Sequence, residues 1–272
     1  MAHTEVNGHR LYYERRGSGE EPLLLIMGMT GNHLHWGEPF LSRIEPDFDV
    51  VLYDHRGIGG SDPVSAPFTI ADLADDAVAL LDALGIDETH VMGVSMGGMT
   101  AQEVALRHSQ RLRTLVLGCT SAGGPDSTPT DTEVMQRLGE LFLSGRIGEA
   151  FAEGFKYNVS PTFAADERNV ATFREIAAEL PMDFQIMLAQ LQAISSHDTS
   201  ARLSAIEAPT LVVHGSEDRI LPVANARHIA SLLPRAQLEI FDGVGHLFWW
   251  ERPERSAELV REHTAAGAAA AQ

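Results

Sequence analysis

The stretch HVMGVSMGGMTAQEVALRH (residues 90–108) decides the reading of the fold. It opens as a short apolar run, turns through Gly93, Val94, Ser95, Met96 and Gly97, and continues in small and helix-forming residues. The five turn residues fit Gly-x-Ser-x-Gly, with a strand expected before them and a helix after, which is the setting that gives this otherwise common pattern its meaning. So tight a turn forces Ser95 into a strained conformation. The flanking glycines, helped by Gly98, remove the side chains that would collide as the backbone reverses. The serine hydroxyl is thereby held above the end of a sheet, at a helix N-terminus.

Outward from this turn, short apolar runs alternate with helix-period segments, the pattern of a mostly parallel sheet in an α/β protein. Residues 23–27, 50–53, 114–118 and 210–214 read as strands buried on both faces, like 90–94. Residues 9–16 (HRLYYERR) alternate and are expected to form an exposed antiparallel edge strand. Ile70, Leu73, Val78, Leu81 and Leu84 fall on one helical stripe that stops at Gly85. From about 121 to 205 the alternation breaks into helical patterns without a convincing strand. The expected organisation is therefore an α/β core of residues 1–120 and 206–272 with a helical cap at 121–205. The last residues, AAGAAAAQ, read as a frayed tail.

Composition narrows the function. The 272 residues are 44% hydrophobic, enough for a full-sized core. The net charge of −18 repels phosphate backbones and anionic lipid heads, so neither nucleic acid nor membrane is an expected partner. One cysteine, Cys119, cannot make an internal disulfide and reads as a small buried hydrophobe; the N-terminus carries no basic-then-apolar signal. A cytoplasmic location is expected.

A serine hydroxyl needs a base within hydrogen-bond reach and an acid that fixes the base's tautomer. In chain order after a nucleophile of this kind come the acid and then the histidine. Asp218 stands on the loop after the strand at 210–214, and His246 ends the flexible Gly243-Val244-Gly245 loop after the apolar run at 238–242. Glu217 is the reserve acid. Of the 12 histidines, His228 lies in a helical stretch and His263 near the tail, so neither sits on a loop at a strand end and His246 is the better base.

The sequence here resembles the α/β-hydrolase superfamily, and within it 3-oxoadipate enol-lactonases and related small esterases. The blocks that carry the resemblance are LLLIMGMTGN (23–32), YDHRGIGGSD (53–62), GVSMGGMTAQ (93–102), HGSEDRILP (214–222) and GVGHLFWWERPE (243–254). It spans about residues 9 to 260 and implies the α/β-hydrolase fold, a mostly parallel sheet of the eight-stranded type with helices on both faces and a helical cap as lid. It further implies Ser95 as nucleophile, His246 as general base and Asp218 as orienting acid. The oxyanion donors are expected to be the backbone N–H groups of Met29 and Met96.

Met27-Gly28 stands where the commonest family pattern has His-Gly, which leaves open what supports that loop. A Met-Gly start followed by an Asn is also similar to polyketide methylesterases of the aclacinomycin type. Met27, Trp36 and Trp249 are candidates for the substrate pocket. The expected activity is hydrolysis of a small-molecule ester or lactone through an acyl-enzyme, with neither cofactor nor metal. His33 and His35 lack a third ligand at sensible spacing and read as a packed helix start, and Asp54 and Arg56 as loop ties. Carbon–carbon bond hydrolases, cofactor-free perhydrolases and ligand receptors share the same triad and stay open. Oligomeric state is not readable. The acidic charge disfavours a carboxylated substrate unless Arg56, Arg146 or Arg219 reaches the pocket, so neutral, fairly apolar esters or lactones are expected.

Overall fold

The computed structural model describes residues 2–64, 66–180 and 183–270, the last three as backbone. Eight strands form one sheet: β1 (Ala2–Val6), β2 (His9–Arg16), β3 (Glu21–Ile26), β4 (Phe48–Tyr53), β5 (Thr89–Val94), β6 (Leu112–Gly118), β7 (Thr210–Gly215) and β8 (Ala236–Phe241). Their spatial order is β1-β2-β4-β3-β5-β6-β7-β8, with β1 and β2 antiparallel and the rest parallel. This is the expected α/β-hydrolase architecture. The strand His9–Arg16 is antiparallel as expected but is not the edge, because β1 pairs outside it. The run AHTEV is too short and polar for its alternation to announce a strand.

The strands carry apolar side chains alternately to two helical layers. Leu23, Leu25, Val50 and Leu52 pack with Phe40 and Ile44 of α1 (Glu38–Ile44) and with Leu259 and Val260 of the C-terminal helix. Leu24, Ile26, Val51 and Leu117 pack on the other face with Ala77 and Leu81 of α2 (Ile70–Ala83) and Val104 of α3 (Met96–Arg107). Helix α2 starts where the stripe begins, at a Thr69 cap whose hydroxyl accepts from the Asp72 N–H.

Between β6 and β7 the chain runs through α4 (Thr132–Leu143), α5 (Ile147–Asn158), α6 (Pro161–Ala164), α7 (Glu167–Glu179) and α8 (Phe184–Ser195). Asp131, Ser160, Asp166 and Asp183 cap four of them by accepting backbone N–H bonds. A bridge between Gly123 and Asp198 and the Thr199 N–H to Ala122 O bond (2.8 Å) close the neck of this insertion. After α9 (Ala224–Leu232) and β8, α10 (Phe248–Glu251) and α11 (Pro253–Ala270) complete the chain. The C-terminal residues are helical to Ala270 rather than frayed, because Gly267 packs against Thr114 and His263 Nε2 meets Pro209 O at 3.2 Å; residues 271 and 272 lie outside the described residues. No described helix is long and apolar enough to cross a membrane.

Strand order places the site. The chain leaves β3 toward β4 on one side and returns across it to β5 on the other, so the carboxyl ends of β3 and β5 are neighbours facing an open crevice. Ile26 pairs with Gly93, and this register brings the loop after β3 against the turn after β5.

Candidate active site

Ser95 sits at φ 56°, ψ −122°, a backbone region that non-glycine residues rarely occupy. Its surroundings enforce it. A β-carbon on Gly93 would lie 2.1 Å from Gly97 O, and one on Gly97 2.0 Å from Ile26 O, so only glycine fits on either side. The Ser95 N–H donates to Gly118 O at 2.9 Å, and the Thr120 hydroxyl donates to Ser95 O at 2.7 Å. Gly28 lies directly against the serine, where a β-carbon would be 3.0 Å from Ser95 Cβ.

Asp218 and His246 meet 28 residues apart in sequence, with Asp218 Oδ2 accepting from His246 Nδ1 at 2.7 Å. The other carboxylate oxygen, Oδ1, accepts from the Ile220 and Leu221 N–H groups, both at 2.9 Å. Three donors thus reach this carboxylate, and the Nε2 of the buried His214, which donates to Leu221 O at 2.6 Å, lies 2.9 Å from Oδ2. Burial alone would raise the Asp218 carboxyl. The His246 charge, the His246 hydrogen bond and the adjacent His214 imidazole outweigh it and hold the group down at about 2. Glu217 is exposed and carries no contact to the imidazole. His228 and His263 lie in α9 and α11.

Ser95 and His246 line one cavity of about 270 Å³, together with Gly28 and Met29, at the mouth of the crevice. No hydrogen bond joins Ser95 Oγ to His246 among the described residues. Neither the Met29 nor the Met96 amide finds an acceptor there, which leaves two free donors on the two loops that flank the serine. Their side chains meet the same apolar cluster at different depths. Met96 is buried with Met99, Phe68 and Leu73, whereas Met29 borders the cavity.

Of the three pocket candidates, Met27 and Trp249 line the cavity. Trp36 does not: it is fully buried between Phe40 and Trp249, with ring centroids at 5.9 and 5.5 Å, and belongs to the core. Its neighbour in chemistry, Trp250, takes that role with Phe173 of α7. His35 also borders the cavity, and burial pushes its imidazole down to about 4, so it is uncharged at neutral pH. The remaining walls are mostly apolar, and no Asp, Glu, Lys or Arg is among the lining residues. The arginines considered for the pocket are engaged elsewhere: Arg56 with Asp76, Arg146 with Glu149, and Arg219 with Asp131 and Glu133. A larger hollow of about 530 Å³ behind Trp250 contains neither Ser95 nor His246 and lies apart from these groups. Among the described residues no three potential metal ligands cluster.

The loop after β3 is supported by groups that its own sequence does not reveal. The buried His55 donates from Nε2 to Met27 O at 3.0 Å. Asp54, fully buried, accepts from the His33 and Gly60 N–H groups at 2.7 and 2.8 Å. From the insertion, Gln190 of α8 accepts from the Thr30 N–H at 2.9 Å. The loop carrying His246 is tied to the insertion in the same manner: Glu251 accepts from the Gly245 and Ser160 N–H groups at 2.8 and 2.9 Å.

Comparison with known proteins agrees with this architecture. A family model described as the alpha/beta hydrolase fold matches residues 21–253, and the chain belongs to that family. RutD of Azorhizobium caulinodans, whose name designates a carbamate hydrolase, is 31% identical over 256 residues, covering 92% of this chain and 93% of the relative. The solved structure of Est816, described as an N-acyl homoserine lactone degrading enzyme, is 30% identical with a TM-score of 0.80, over 96% of this chain and 99% of that one. The enol-lactonase of Burkholderia xenovorans LB400 shares the fold at 23% identity and a TM-score of 0.84, over 97% and 100% of the two chains. The chain is thus an α/β hydrolase among hydrolytic relatives.

Asp218 titrates lower in the folded protein than in the unfolded chain, where its ordinary value is 3.8. A depressed carboxyl stabilises the fold above its unfolded value and loses that contribution as pH falls through the folded value. The shift from 3.8 to about 2 corresponds to roughly 2 kcal/mol. Urea unfolding of wild type and Asp218→Asn is therefore expected to show a stability gap at pH 6 that narrows by roughly this amount as pH falls from about 4 toward 2. A gap independent of pH would contradict the assignment of the pair.

Proposed function

We propose that this chain is a serine hydrolase that cleaves an uncharged, mainly apolar ester or lactone through an acyl-enzyme. The supporting observation is that Asp218 engages His246 Nδ1 at 2.7 Å, leaving Nε2 as the nitrogen available to the cavity that Ser95 also lines. With Nδ1–H held by the carboxylate, Nε2 is the unprotonated nitrogen and serves as the base.

In the first half-reaction Ser95 Oγ attacks the carbonyl carbon as its proton passes to His246 Nε2. The oxyanion is met by the free Met29 and Met96 amides, the second at the N-terminus of α3. Collapse breaks the bond to the alcohol, which leaves with the proton from Nε2. In the second half a water gives its proton to Nε2 and attacks the acyl-enzyme; collapse releases the carboxylic acid and returns the proton to Ser95 Oγ. Asp218 offsets the imidazolium charge in both steps. The helices α4 to α8 act as the lid, contributing Met135, Leu138, Phe173 and Leu191 to the cavity. The carbamate and lactone chemistry in the relatives' names is acyl-type transfer to water of the same kind.

Replacing Ser95 by Ala is expected to lower kcat for p-nitrophenyl butyrate by several orders of magnitude, since the nucleophile is removed outright; near wild-type turnover by the alanine enzyme would overturn the reading. The uncharged lining and the net charge of −18 disfavour an anionic substrate. Accordingly, a lactone bearing a free carboxylate is expected to react with lower kcat/KM than its methyl ester. The reverse order in a direct competition would show that a cationic group reaches the cavity.

A further inference from the structure

Gln190 is fully buried, yet its Nε2 has no hydrogen-bond partner among the described residues. A buried amide with an unpaired –NH₂ burdens the fold in a way that Leu or Met at the same place would not. What it provides is the acceptor Oε1, 2.9 Å from the Thr30 N–H. Thr30 belongs to the four-residue turn Gly28–Gly31, closed by the Gly31 N–H to Gly28 O bond at 3.3 Å, in which Met29 occupies the second position. Thr30, at the third, has φ +63°, left-handed backbone that disfavours a β-branched residue. Turns with left-handed and right-handed backbone at this position differ by a flip of their central peptide, here the one joining Met29 to Thr30. The direction of the Thr30 N–H is therefore the direction of that peptide, and Gln190 Oε1 is the acceptor that selects it.

The two ends of the turn are held from different parts of the molecule. His55 in the core holds Met27 O, before the turn, while Gln190 holds Thr30 from α8 in the insertion. Helix α8 is itself docked on the core. Ile186 fills the space beside Gly57, where a β-carbon would meet Ile186 Cδ1 at 2.7 Å, and Ala193 packs in the cluster of Met96 and Met99 that Met29 also touches.

We propose that Gln190 is a positioning residue for the oxyanion hole: its bond to Thr30 locks the strained turn that presents the Met29 amide, so the hole is complete only when α8 is seated. This rests on the reading of Ser95 as nucleophile and Met29 as oxyanion donor. Without the acceptor, the unpaired Thr30 N–H and the left-handed strain are both relieved by flipping the central peptide; the flip itself swings Met29 C=O and Thr30 N–H, and the Met29 N–H, on the preceding peptide, loses its fixed direction as the Met29 ψ angle and the turn around it change. Substrate binding depends on the apolar walls and is little affected.

The test compares wild type, Gln190→Met, which keeps the volume and loses the acceptor, and Gln190→Glu, whose protonated carboxyl keeps it. On p-nitrophenyl butyrate Q190M is expected to lose about 10- to 100-fold in kcat with KM changed by less than about threefold. Affinity for a trifluoromethyl ketone, which forms the oxyanion on Ser95, should fall by the same factor, and Q190E should recover most of both. An unchanged kcat in Q190M, or a loss of kcat not followed by the trifluoromethyl ketone, would overturn the proposal. Should Q190M fail to fold, the wild-type enzyme still decides: hydrogen exchange at the Thr30 amide should be strongly protected, and exchange at the rate of an open loop amide would overturn it. A wild-type enzyme without Ser95-dependent turnover would instead remove the reading beneath it.

Discussion

Gly93 and Gly97 leave no room for a β-carbon, and Gly28 only a tight one, where the end of β5, the first turn of α3 and the loop after β3 converge. That close approach is the constraint on which the rest depends. It forces Ser95 into left-handed backbone, sets its hydroxyl over the crevice where the sheet's strand order reverses, and leaves the Met29 and Met96 amides without acceptors among the described residues. Strain in a turn survives only where its surroundings overdetermine it. Here the parallel pairing of β3, β5 and β6, buried on both faces, supplies the rigidity.

Around this turn the polar groups are few, and each is held by several partners. Asp218 collects three donors and has His214 Nε2 beside it, which fixes both the carboxylate and, through it, the imidazole of His246. No Asp, Glu, Lys or Arg is among the lining residues of the cavity, so electrostatics within it come from backbone amides and imidazoles. If the cavity hosts the proposed acyl transfer, preoriented donors in so apolar a space stabilise the developing oxyanion far more than water would. The insertion between β6 and β7 does more than roof the cavity, since Glu251 binds the His246 loop to Ser160, and Gln190 binds the loop after β3 to α8.

What sequence conveys about this protein is what is local or strictly ordered. The buried parallel strands announce themselves as apolar runs, α2 as a stripe with a glycine stop, and Ser95, Asp218 and His246 as residues on loops after strands in a fixed chain order. Groups that reach a site from a distant segment leave no such mark. Gln190 lies 160 positions from Thr30, and nothing in the helical pattern of α8 separates it from any other polar helix residue. His214 ends an apolar strand and resembles its neighbours until the fold brings Asp218 back against it. Nothing in the sequence around Trp36 marks it as a core ring rather than a pocket ring, and only packing assigns it to the core and Trp250 to the cavity. The β1 strand and the helical C-terminus escaped for a related reason: each is stabilised by a partner, β2 or Thr114, rather than by its own pattern.

The central claim is that the strained serine is the nucleophile, activated by the imidazole that Asp218 holds. The most direct measurement is mass spectrometry of the protein after treatment with a fluorophosphonate, with peptide mapping of the adduct. The account predicts a single phosphonyl adduct on Ser95, formed rapidly in the wild type and slowed by orders of magnitude in His246→Ala. Absence of an adduct, or an adduct on another residue formed equally fast without His246, would contradict it.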